Sequence, residues 1–223
     1  MTTSEYRELI RRITRKKNEH NLEGMRRIGI NVTNAYGSVS VPELRKIGKT
    51  IGKNHDLAIK LWSSGIHEAR LLASLIDEPD KVTESQMDRW AMEFDSWDIC
   101  DQCCGNLFDK TAFAYSKAVE WSLREDEYVR RAGYVLMAEL AVHDKDAGNE
   151  IFIMFFKYIK EGSVDDRNFV KKAVNWALRQ IGKRNDLLRK KALEVAEDIK
   201  NKDSKSAKWV ANDAIRELRA LEK

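Results

Sequence analysis

A chain of 223 residues, 43% of them hydrophobic, can bury a core without disulfide or metal staples; with only 2 prolines and 11 glycines it is too poor in turn formers for a sandwich, a barrel or a doubly wound sheet, so an all-helical fold is expected. Charged residues make up 34% and the mean hydropathy is −0.56, which leaves no apolar run near the roughly 20 residues of a membrane span. The net charge of +4 hides an uneven distribution: 13 basic and 6 acidic side chains in residues 1–60, 9 and 19 in 61–156, 18 and 11 in 157–223. Two basic flanks around an acidic middle suit either ordinary solvated helix faces or a groove for a polyanion.

Along the chain, helix signals follow one another with short breaks. Ser4 can cap a helix running to about Lys17, Asn21 can open another to about Val32, and Pro42 takes a first-turn position ahead of ELRKIGKTIGK. Asp56, Thr83, Thr111, Asp126 and Asn185 stand where N-caps or first-turn acids belong. The expected count is about twelve or thirteen helices in antiparallel pairs, and with no Gly-rich linker or composition break the reading is one domain over residues 1–223. A helix pair recurs roughly every 35 to 45 residues, the period of degenerate helical repeats, whose stacks curve and offer a concave groove. MTTSEYRELIRR lacks the apolar stretch of a secretory signal, and Cys100, Cys103 and Cys104 are odd in number and crowded; both features point to a reducing, cytoplasmic setting.

Three stretches carry chemistry. In EFDSWDICDQCCGNLF, 93–108, Trp97 and Asp101 share a helical face, while Ile99, Cys100, Cys103, Cys104 and Leu107 fill the adjoining apolar arc. Asp101 is thus expected at the core margin, where partial desolvation strengthens its field toward a developing cation; a capped or salt-bridged structural Asp is the alternative. Asp98 falls on the polar side, as a first-turn acid. In DEYVRRAGYVLMAELAVH, 126–143, the helix is apolar nearly all round, so Arg131 must find a carboxylate or a phosphate, whereas Arg130 points elsewhere, to solvent.

The third stretch, RNFVKKAVNWALRQIGKRN at 167–185, has Val170, Ala173, Val174, Ala177, Leu178 and Ile181 on one face. Lys172, Trp176, Arg179 and Lys183 form a stripe opposite, followed by Arg184. An indole among cations on an outward face fits a ligand both apolar and anionic, as nucleic acid is; packing against a neighbouring repeat is the alternative. There is no Gly-rich phosphate loop, no GxSxG and no HExxH, the cysteines lack a second ligand pair, and histidines 20, 55, 67 and 143 are scattered, so neither a metal nor a cofactor is expected.

These stretches, with YGSVSVPELRKIGK at 36–49 and LWSSGIHEARLLA at 61–73, together resemble the AlkD-type DNA alkylation-repair glycosylases, a HEAT-like repeat family, over nearly the whole chain. KKAVNWALRQIGKRN at 171–185 is the most specific match. The resemblance implies an all-α superhelix of HEAT-like antiparallel helix pairs, curved into a solenoid with a concave DNA-binding face. It implies hydrolysis of the N-glycosidic bond to cationic N3- or N7-alkylated purines in double-stranded DNA, without a dedicated base-flipping pocket, leaving an abasic site. By position, Asp101 matches the catalytic aspartate, Trp97 the aromatic upstream of it, Arg131 the active-site arginine and Trp176 the second tryptophan of the cleft; Lys172, Arg179, Lys183 and Arg184 would then contact DNA. A monomer without metal or cofactor, nucleoid-associated when bound to DNA, completes the expectation. Ser96, Tyr128 and Asn175 depart from the family pattern, which often has two aromatics before the acidic pair, a Trp before the arginine and a Gly before the second tryptophan. Two other readings stay open: a non-catalytic DNA-binding member of the same fold, and a helical-repeat scaffold for another protein.

Overall fold

The computed structural model describes residues 3–221, with side chains from residue 6 onward. Among the described residues there are thirteen α-helices and no strand, and no helix is long and apolar enough to cross a membrane. The chain divides into two compact units, Met1–Thr111 and Ala112–Lys223, where the sequence had suggested one domain without a visible break.

The first unit holds α1 (Thr3–Thr14), α2 (Glu19–Arg27), α3 (Val41–Ile51), α4 (His55–Ser63), α5 (His67–Ile76), α6 (Glu84–Met92) and α7 (Trp97–Asn106), with 3₁₀ turns at Pro79–Lys81 and Phe108–Lys110. Helix α5 is its centre, packing on α3, α4 and α7, and it buries Leu71, Leu72, Ala73 and Ile76. Trp62 and Trp90 stack with ring centroids 3.9 Å apart and planes 2° off parallel, and Phe94 and Phe108 close around them. Local signals set several boundaries. Ser40 and Glu43 form a reciprocal capping box with Pro42 in the first turn of α3, and Thr83 accepts from the Gln86 amide to start α6. The Ser4 cap falls outside the described side chains. Asn21 does not open α2: Asn18 does, accepting from the Asn21 amide, and Asn21 instead donates to the Gly37 carbonyl at 2.7 Å. The helix ends at Arg27, short of Val32, because Gly29 turns the chain with φ +78.

The second unit holds α8 (Ala114–Ser122), α9 (Glu127–His143), α10 (Asn149–Gly162), α11 (Asn168–Lys183), α12 (Asp186–Lys200) and α13 (Lys205–Arg219). Helix α9 packs on α8 and α11, and α11 on α12 and α13. Alternate helices α9, α11 and α13 begin 41 and 37 residues apart, within the repeat period read from the sequence. Asp126 and Asn185 occupy N-cap positions, Asn185 accepting from the Leu188 amide at 3.0 Å. Thr111 does not cap a helix; its hydroxyl turns back to the Phe108 carbonyl and closes the 3₁₀ turn.

Candidate nucleic-acid interface

On α7 the apolar arc is buried as its spacing requires: Ile99, Cys100, Cys103 and Cys104 are 2% exposed or less. Trp97 and Asp101, one turn apart, are half-buried at the margin of that arc. The Trp97 indole donates from Nε1 to the Ile28 carbonyl at 3.0 Å, which ties the ring to the C-terminal end of α2. Asp101 lies near enough to Cys104 that, after burial and the neighbouring thiols, its negative charge helps push that thiol up. A carboxylate so placed is partly desolvated without being enclosed.

Asp98 departs from its expected place on the polar side. It is in the first turn of α7, but it is drawn inward: Oδ2 meets His67 Nε2 at 2.9 Å and Oδ1 accepts from the Ser96 hydroxyl at 2.5 Å. Burial opposes charge on both partners, yet the hydrogen bond and Coulomb attraction between them outweigh it, so the imidazole is raised and the carboxyl lowered. Glu68 and Asp95 add to the field that holds His67 charged. A raised histidine stabilises the fold fully below its ordinary value of 6.5 and loses that contribution as pH rises through its folded value. The lowered Asp98 contributes above its ordinary 3.8 and loses its share as pH falls through its folded value. The thermal midpoint is therefore expected to fall on the alkaline side of neutrality by an amount worth on the order of 1 kcal/mol, and His67→Gln should flatten that slope; melts between about pH 5 and pH 9 measure it.

In the second unit, α9 buries Arg131 to 5% exposure, and its guanidinium donates to the Phe169 carbonyl. Tyr128, in place of the family's Trp, lies against Phe169 with centroids 5.9 Å apart. Arg130 is not simply solvated: it faces Asp165 at 3.5 Å, a carboxylate shared with Arg167 and held low by that arginine despite burial.

The wheel of α11 holds for its core face, with Val170, Ala173, Val174, Ala177, Leu178 and Ile181 all fully buried, while Trp176 is half-buried and Lys172 exposed. The stripe is not wholly outward. Helix α13 packs along α11, and Asn175 donates into it at the Val210 carbonyl, 3.0 Å away. At the far end Arg179 pairs with Glu217 and approaches Asp213 at 3.7 Å, and Lys183 pairs with the same Glu217, whose carboxyl the two cations lower against the effect of burial. Replacing both cations would thus strand Glu217, contrary to the expectation that the whole stripe can be removed without cost. Arg184 is turned inward as well: it donates to the carbonyls of Ala141, Asp144 and Ala147 at the end of α9 and lies 4.1 Å from the Phe152 ring centroid. Its guanidinium satisfies backbone acceptors that a helix terminus leaves open.

The profile of the family described as "DNA alkylation repair enzyme" matches residues 9–218. The chain belongs to that family. Its match spans the Asp101, Arg131 and Trp176 segments alike. Two relatives align over 167 residues, 74% of this chain and 72% of theirs: uncharacterized protein Lin0241 of Listeria innocua, 25% identical, and uncharacterized protein Lmo0209 of Listeria monocytogenes, 24% identical. A solved structure, described as a new family of proteins related to the HEAT-like repeat DNA glycosylases with affinity for branched DNA structures, superposes with a TM-score of 0.77 at 18% identity, over 95% of this chain and 94% of that one. The fold is accordingly HEAT-like.

Within the family frame, the first unit brings Trp97 and Asp101 together, and the second holds Arg131 and the α11 residues. Trp176→Ala is expected to weaken duplex binding several-fold while costing well under the roughly 3 to 5 kcal/mol of a buried Trp; fluorescence anisotropy with a labelled duplex, beside a thermal melt, separates the two. Sequence reasoning missed His67 and Glu68, 3% and 2% exposed. They stand in LWSSGIHEARLLA, a segment that carried the family resemblance, but the histidine's partner is Asp98, 31 residues on, and no local spacing announces it.

Proposed function

We propose that the protein excises cationic N3- or N7-alkylated purines from double-stranded DNA, leaving an abasic site. The supporting observation is the half-buried Asp101 beside Trp97 on α7, in a chain of the DNA alkylation repair family. An N-alkylated purine carries positive charge and leaves readily, so the C1′–N bond breaks with its electron pair going to the base, which departs neutral. Positive charge grows on the deoxyribose; the Asp101 carboxylate stabilises it and orients the water that adds at C1′, whose proton passes to the carboxylate and then to solvent. Trp97 and Trp176 pack against sugar and backbone, Arg131 holds a phosphate, and Lys172 adds a solvent-facing charge. No lysine is assigned as a Schiff-base nucleophile, so strand cleavage is not part of the reaction. The protein acts as a monomer in the cytoplasm, without metal or cofactor. The test is incubation with a duplex bearing a single N7-methylguanine, with released base measured by chromatography and abasic sites by alkaline cleavage.

A second reading is a non-catalytic DNA-binding member, favoured by the branched-DNA affinity attributed to the structural neighbour. Tight binding of a four-way junction with no released base from any alkylated duplex would establish it over the first.

A further inference from the structure

Between α2, α3, α5 and α7 of the first unit lies a cavity of about 410 Å³ that neither the fold nor base excision requires. Met25, Ile30 and Leu71 supply apolar wall, and His67, Glu68 and Asp98 supply the polar part. Two polar atoms of this wall are buried with no hydrogen-bond partner, His67 Nδ1 and Glu68 Oε2. Such orphans are costly in a folded protein and mark a place where a partner is expected.

The rest of each side chain is fully engaged, which fixes what the orphan atoms can accept or give. Glu68 Oε1 takes the amides of Tyr36 and Gly37 at 2.9 and 2.5 Å, anchoring a turn in which Gly37 has φ +63. Oε2 is then a free acceptor in search of an N–H. His67 Nε2 faces the Asp98 carboxylate and must carry its proton, and the surrounding carboxylates Asp98, Glu68 and Asp95 favour a proton on Nδ1 as well. Nδ1 is then a free donor in search of an oxygen. A ligand meeting both carries an N–H beside a C=O on a flat apolar body, and the walls of aliphatic and thioether side chains suit an aromatic ring.

From this pairing of a buried free acceptor and a buried free donor on one cavity wall we infer a binding site for a free purine lactam, the N1–H and O6 edge of hypoxanthine, guanine or 7-methylguanine. The lactam N–H donates to Glu68 Oε2 and the carbonyl oxygen accepts from His67 Nδ1. Adenine presents the opposite pattern on that edge, an acceptor at N1 and an amine in place of the carbonyl. The site does not rest on the excision chemistry proposed above, since a protein that releases no base still binds one supplied to it.

Calorimetric titration of the full chain with hypoxanthine, 7-methylguanine and adenine at about pH 6.5 tests the assignment. Saturable binding of both lactams is expected, with adenine at least 10-fold weaker. Glu68→Gln keeps an oxygen for the Tyr36 and Gly37 amides but turns the second position into a donor, and it should cost at least 10-fold in lactam affinity. Gly24→Leu serves as a variant that leaves the polar wall untouched: Gly24 lines the cavity, and a Cβ there meets nothing within 4 Å. It should fold with an unchanged or higher thermal midpoint, since leucine replaces glycine within α2, and should abolish binding. No saturable lactam binding, equal affinity for adenine, or undiminished binding by Gly24→Leu would each overturn the site. Lactam binding by a protein that excises nothing would leave the site standing and remove only the proposed reaction.

Discussion

Asp101→Asn is expected to lower base excision by about 10²-fold or more, roughly 2.7 kcal/mol of transition-state stabilisation, the scale of one preorganised electrostatic group. Asparagine preserves the volume and most of the hydrogen-bonding capacity of the side chain but carries no charge to set against an oxocarbenium-like sugar. The half-buried position on α7 makes the loss larger than a solvated carboxylate would give, because less water screens the field. Duplex affinity should hold or rise, since the same substitution removes a repulsion toward phosphates. Asp101 borders the buried cysteines of α7, so the thermal midpoint has to be followed in parallel with single-turnover release of N7-methylguanine. A well-folded mutant that releases base at the parent rate would remove Asp101 from the reaction.

Tyr134→Ala should reduce stability by about 4 kcal/mol, in the range for truncating a large buried aromatic, and is measurable by urea unfolding. The ring is 1% exposed on α9, and its hydroxyl donates toward the carbonyls of Tyr158 at 3.2 Å and Ser122 at 3.4 Å. Burial in that setting pushes the phenol up and keeps it neutral. Gly162 of α10 is small enough to leave the hydroxyl room, and Gly133 lets the α9 backbone press directly on that of α8 at Ser122. With α8 and α10 already in such close contact with α9, little remains to collapse into the space that alanine vacates. Tyr134→Phe, which keeps the ring, should cost only about 1 kcal/mol.

What the sequence determined by itself was whatever depends on neighbours within about four residues along a helix. The apolar faces of α7 and α11, the marginal position of Asp101, the caps at Thr83 and Asn185 and the all-helical class are of this kind, since the 3.6-residue period and capping chemistry act locally. The start of α2 was misplaced because Asn18 and Asn21 are both capping residues three positions apart, and only the bond from Asn21 to Gly37 decides between them. Charged side chains were legible as to face but not as to partner. Whether a cation on that face meets water, phosphate or a carboxylate depends on how far a neighbouring helix is rotated and how closely it packs, which the pattern of one helix does not contain. Only the tertiary structure set Glu217 against Arg179 and Lys183, 38 and 34 residues away, turned Arg184 onto the open carbonyls of α9, and brought His67 and Asp98 together beside a cavity with two unsatisfied polar atoms.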